Sequence, residues 1–141
     1  MPATDTAIAQ ARTAARAASD RLGYDIVALD VSGQLVITDA FVIVSANNER
    51  QVGAIVDAVE EALHREHGAK VIRREGKGEG HWVLLDFGDI IVHVFDVEDR
   101  QFYALEKLWQ DCPAIGVDDV VGPPAEASAE APERGASGAA R

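Results

Sequence analysis

Hydrophobic and polar positions along the 141-residue chain alternate between two periods, one near four residues and one of two. Over residues 4–22, Ile8, Ala11, Ala15, Ala18 and Leu22 recur at spacings of three and four, which places them on one helical face. Thr4 or Asp5 is suited to cap that helix, and Gly23 to end it in the left-handed conformation. Tyr24 to Val31 reads as a strand closed by Ser32 and Gly33. Leu35 to Ser45 reads as a second strand, continuously apolar from Ala40 to Val44, as an inner strand covered on both faces would be.

Asn47 and Asn48 interrupt that strand and offer a cap to the next helix, with Gln51 placed to reach back as in a capping box. From Glu49 to His67 the apolar positions Val52, Ile55, Val56, Val59, Ala62 and Leu63 give the clearest amphipathic helix in the chain, and Gly68 ends it. Lys70 to Glu75 is a half-polar strand, followed by a glycine-rich loop, Gly76 to Gly80. His81 to Trp109 then predicts two strands joined by a tight turn and a helical segment rich in large side chains. The order helix, strand, strand, helix, strand, strand, strand, helix implies a single α/β domain with a mixed sheet flanked by helices.

Residues 1–121 are read as that domain. From Gly122 to Arg141 no large apolar residue occurs, so the expectation there is a disordered Ala-, Pro- and Gly-rich tail.

A formal net charge of -11 disfavours broad binding to phosphate backbones or anionic membranes and favours a basic protein surface as partner. The single cysteine, Cys112, permits no intrachain disulfide and no thiolate cluster, which fits a reducing cytoplasm. No membrane span or secretion signal is read in the sequence.

Chemical motifs are weak. The Gly76 to Gly80 loop leads into a strand, whereas a phosphate-binding loop opens a helix. Asp86-Phe87-Gly88 matches the kinase metal-binding triplet but is better read as a turn, with Gly88 at positive φ and Asp86 or Asp89 bonding the turn backbone. His64, His67, His81 and His93 lack zinc-ligand spacing. Asp30, Asp39, Asp86 and Asp89 lie in or beside strands but form no Asp-x-Asp pair for magnesium, so turn caps are the simpler reading. His93, between Val92 and Val94, is expected to be a hydrogen-bonded structural histidine sharing a face with Ile91 and Phe95. In the segment from Asp96 to Trp109, Phe102, Leu105 and Trp109 recur at helical spacing with Tyr103 and Glu106 alongside. These side chains suit either a core or a binding hot spot.

The combined residues resemble a known family. Trp82-Val83-Leu84-Leu85-Asp86-Phe87-Gly88-Asp89, Val92-His93-Val94-Phe95, Arg100, Tyr103, Leu105-Glu106 and Leu108-Trp109 look like the signature of the ribosomal silencing factor (RsfS or Iojap) family. Thr38 to Ile43 and Arg50-Gln51 also fit it, and the likeness spans roughly residues 5–112. The resemblance implies a nucleotidyltransferase-like fold that has lost catalysis and requires no cofactor or metal. It also implies a homodimer when free and binding to ribosomal protein L-fourteen of the large subunit. Such binding would block small-subunit joining and lower translation when nutrients are scarce. Alternatives are a role in large-subunit assembly or a surviving nucleotidyltransferase activity. Residues expected to form the partner surface are Trp82, Asp86, Asp89, His93, Arg100, Tyr103, Leu105, Glu106 and Trp109.

Overall fold

The computed structural model describes residues 2–77, 81–98, 100 and 105–122. Along them run α1 (Asp5–Asp20), β1 (Tyr24–Asp30), β2 (Ala40–Ala46), α2 (Glu49–His67), β3 (Arg73–Lys77), β4 (Trp82–Asp86), β5 (Ile90–Asp96) and the single-turn α3 (Leu105–Leu108). This is the predicted order of elements. The strands form one sheet, β1-β2-β5-β4-β3. β2 and β5 are parallel and the other neighbours antiparallel, so the sheet is mixed, as expected. The expected tail beyond Gly122, the last three residues of the glycine-rich loop (78–80) and Tyr103 lie outside the described residues.

Side chains of successive strand residues point to opposite faces, and this alternation divides the core in two. On one face α1 and α2 cover Ala40, Val42, Val44, Val83, Leu85, Ile90, Val92 and Val94. All six apolar positions predicted for α2 are buried there. Each buried Val, Leu or Ile contributes about 1.5–3 kcal/mol on leaving water. α1 supplies mainly alanines, so it lies close to the sheet and to α2; Arg16 pairs with Glu66 and Thr13 meets His67 between the helices. On the other face lie Leu29, Val31, Phe41, Ile43, Ile91 and Phe95, joined by Trp82, Leu84, Trp109 and Cys112.

Several local expectations shift. Leu22 rather than Gly23 takes the left-handed conformation after α1, with φ 67°, and its side chain is 76% exposed. Gly23 is required for another reason: a Cβ there would come within 2.7 Å of Val44 Cγ1 and 2.9 Å of the Ala18 carbonyl. The second strand begins at Ala40, not Leu35. The chain turns at Val31, whose carbonyl accepts from Gln34 and Leu35, and Val36 and Ile37 project into solvent, 100% and 75% exposed. Strand pairing starts only where Asp39 N–H donates to the Asp89 carbonyl at 3.0 Å. The third strand starts at Arg73 rather than Lys70 and includes Gly76 and Lys77, because its register is set by β4, with Lys77 opposite Trp82 and Arg73 opposite Asp86.

Gln51 does more than the predicted capping box requires. Its N–H donates to Asn48 Oδ1 at 2.9 Å, its Oε1 accepts from Asn47 N–H at 2.7 Å, and its amide nitrogen donates to the Arg21 and Leu22 carbonyls. One side chain thus joins the start of α2 to the end of α1.

Candidate functional site

β5 is the central strand of five, and His93 is the middle residue of its seven. Its parity directs the imidazole to the face opposite α1 and α2. Across the sheet it is flanked by Ile43 of β2 and Leu84 of β4. Aromatic rings surround it. Phe41 meets it edge-on with centroids 4.9 Å apart, and the Trp82 and Phe95 rings are each 6.2 Å away. Trp82 stacks on Phe95 at 5.0 Å, while Trp109 approaches Phe41 edge-on at 5.2 Å.

The expected face-sharing of His93 with Ile91 and Phe95 is present, but the expected hydrogen bond is not. Neither ring nitrogen has a partner among the described residues, and the side chain is 5% exposed. Burial therefore pushes its pKa down from 6.5 to about 4, because the charged ring would lose its hydration without gaining a compensating group. At neutral pH the ring is uncharged.

Other predicted site residues are spread along this face and its ends. Asp86 closes β4, and its carboxylate accepts from Gly88 N–H at 2.8 Å, stabilising the turn in which Gly88 has φ 92°. Asp89 is exposed in that turn and contributes its carbonyl to Asp39. At the opposite end, Arg100 is buried and donates from Nη1 to Ser45 Oγ at 2.8 Å. Trp109 is half-buried and lies just beyond α3, in a turn closed by Cys112 N–H donating to its carbonyl at 2.9 Å, so the predicted helix stops short of it. Leu105 and Glu106 have helical backbones; their side chains, like Tyr103, fall outside the described residues.

Sequence reasoning missed three participants. Phe41 links Trp109 to His93, and its place in the Ala40 to Val44 run, at odd parity, was the available signal. Ser45 pairs with Arg100, a contact between residues 55 apart that no local pattern reveals. His81 shares a hydrogen bond between its Nδ1 and the buried Asp96 carboxylate, tying the entry of β4 to the exit of β5.

The candidate carboxylates serve backbone groups. Asp30 accepts from Ala3 N–H and from the Ser32 N–H and hydroxyl, Asp39 from Thr4 N–H, and Asp86 from Gly88 N–H. Among the described residues no group of three or more His, Cys, Asp or Glu side chains is placed to hold a metal ion. No described helix is long and apolar enough to cross a membrane. The face opposite the helices is thus apolar and aromatic, centred on a neutral imidazole, with polar groups at its two ends.

Comparison with known proteins gives the family. Residues 4–141 match the family described as RsfS, ribosomal silencing factor during starvation. The ribosomal silencing factor of Bacillus subtilis is 41% identical over 107 residues, covering 76% of this chain and 90% of that protein. The mouse mitochondrial assembly of ribosomal large subunit protein 1 is 34% identical over 87 residues, 60% of this chain and 38% of that one. The crystal structure of a Chromobacterium violaceum protein superposes with a TM-score of 0.68 at 33% identity, covering 72% of this chain and 84% of that one. With the fold, the signature residues and the relatives in agreement, the chain belongs to the RsfS family of ribosomal silencing factors.

Proposed function

We propose that the protein binds ribosomal protein L-fourteen on the large ribosomal subunit through the aromatic face around His93. Bound there, it sterically prevents the small subunit from joining and lowers translation under nutrient limitation. The observation that carries this reading is the gathering of aromatic rings on one face of the sheet. Both long helices lie on the other face, and opposite them Phe41, Trp82, Phe95 and Trp109 form a connected set with His93. Aromatic side chains with a polar rim are the usual composition of a binding hot spot. The chain's net charge of -11 complements a basic ribosomal protein and opposes indiscriminate attachment to rRNA.

The mechanism is occlusion and needs no cofactor or bond-making step. In the free state the same face is available to a second copy, so the protein is proposed to be a cytoplasmic homodimer that exchanges its own contact for the ribosomal one. A second reading, assistance in large-subunit assembly, is favoured by the similarity to the mouse mitochondrial protein. Two measurements test the main reading: co-sedimentation with purified large subunits, and reassociation of large and small subunits with added protein. Binding with reduced reassociation supports occlusion. Binding without any effect on reassociation favours the assembly role, and absence of both effects defeats the proposal.

A further inference from the structure

His93 occupies an unusual position for a polar side chain. A neutral imidazole carries one N–H donor and one acceptor nitrogen, and burying both unpaired sacrifices their hydration with nothing in return. The scaffold offers no remedy. The cross-strand neighbours are Ile43 and Leu84, and the neighbours two residues away along β5 are Ile91 and Phe95. A leucine or phenylalanine would fill this site without the loss. Trp109 rests on Phe41, the ring that meets His93 edge-on, and it does so from a turn just beyond α3, where the neighbouring Leu108 is exposed.

We propose that His93 is a specificity-determining residue for docking, left unpaired in the free protein and hydrogen-bonded by a donor of the partner protein once Trp109 moves off Phe41. This rests on the proposed docking of the aromatic face to the large subunit and adds to it a movable cover and a polar contact at its centre. The uncharged ring presents its acceptor nitrogen to a neutral or cationic donor without repelling it. A partner that is merely apolar, by contrast, would gain nothing at these nitrogens, which are already buried and unpaired in the free protein, and so would bind more weakly than one that brings a donor.

The test uses the full chain and its His93→Leu and His93→Gln variants. Thermal midpoints are measured together with affinity for purified large subunits, and imidazole ¹⁵N spectra are recorded with and without purified ribosomal protein L-fourteen. His93→Leu is expected to melt at or above the wild-type temperature yet bind about tenfold more weakly, the value of one hydrogen bond at a desolvated site. His93→Gln, which keeps a donor and an acceptor, recovers part of the affinity. In the wild type, one ring nitrogen shifts on complex formation. Equal affinity of His93→Leu and wild type, or a ¹⁵N spectrum unchanged by L-fourteen at saturation, overturns the inference. If His93→Leu fails to fold, the ¹⁵N shift decides. Wild-type protein that binds neither large subunits nor L-fourteen would instead defeat the docking reading itself.

Discussion

Phe41 and Trp109 meet edge to face, their ring centroids 5.2 Å apart and their planes at 78°. Phe41 belongs to an inner strand and is buried, whereas Trp109 comes from the chain beyond α3 and is half-exposed. The pair is therefore a junction between scaffold and surface. Trp109→Ala is expected to remain folded, with a stability loss of about 1–3 kcal/mol, less than for a fully buried tryptophan. Its co-sedimentation with large subunits should fall sharply. Chemical denaturation and sedimentation on the same preparation check both; undiminished co-sedimentation would remove Trp109 from the docking surface.

His93 makes stability depend on mild acid. Its pKa is about 4 in the fold against 6.5 ordinarily, so the unfolded chain takes up a proton first as pH falls below about 6.5. Stability then declines until the folded protein is also protonated, near pH 4. A gap of roughly 2.5 units corresponds to about 3 kcal/mol. Urea unfolding at pH 7 and at pH 4.5 should show most of this loss for the wild type, and His93→Leu should show a correspondingly smaller difference between the two pH values.

Two glycines should respond in opposite directions to alanine. At Gly23 the added methyl would collide with Val44 and with the Ala18 carbonyl, a backbone atom that cannot rotate away. Gly23→Ala is expected to cost about 1–3 kcal/mol. Gly53 lies inside α2, and an alanine methyl there would have nothing within 4 Å, so Gly53→Ala should stabilise by about 0.5–1 kcal/mol. Thermal melts of the two variants beside wild type provide the comparison.

How much of this was legible in the sequence follows from how local each signal is. The six apolar positions of α2 repeat within one element and are all buried where expected, and the uniformly apolar run of β2 announced a strand covered on both faces. The Asp86 to Gly88 turn was equally readable, since its hydrogen bond spans two residues. What escaped depends on distant partners. Val36 and Ile37 have strong strand propensity but no strand beside them, so they remain outside the sheet. Gly23 is dictated by Val44, and Arg100 by Ser45, contacts that exist only once β2 and the chain after β5 have come together. The aromatic face was visible as a concentration of large rings, but Phe41, its link across strands, was not.

Cys112 is expected to be a sluggish nucleophile. Burial pushes its thiol pKa upward, and the nearby Asp30 and Asp111 carboxylates add to the effect. The thiolate fraction at neutral pH is correspondingly small. Reaction with a disulfide reagent should be much slower in the folded protein than in urea, and equal rates would show that the thiol is not shielded.

β5 places two kinds of residue in strict succession: Ile90, Val92 and Val94 toward the helices, Ile91, His93 and Phe95 toward the aromatic face. A strand with this construction tolerates substitution far better than a change in length. One residue inserted before Ile90 would rotate the whole series, sending the imidazole beneath α2 and valines to the aromatic face. Inheritance of this protein should accordingly permit many exchanges of side chain along β5 while filtering out insertions and deletions there, because its frame, more than any single residue, keeps the helix-covered face and the aromatic face apart.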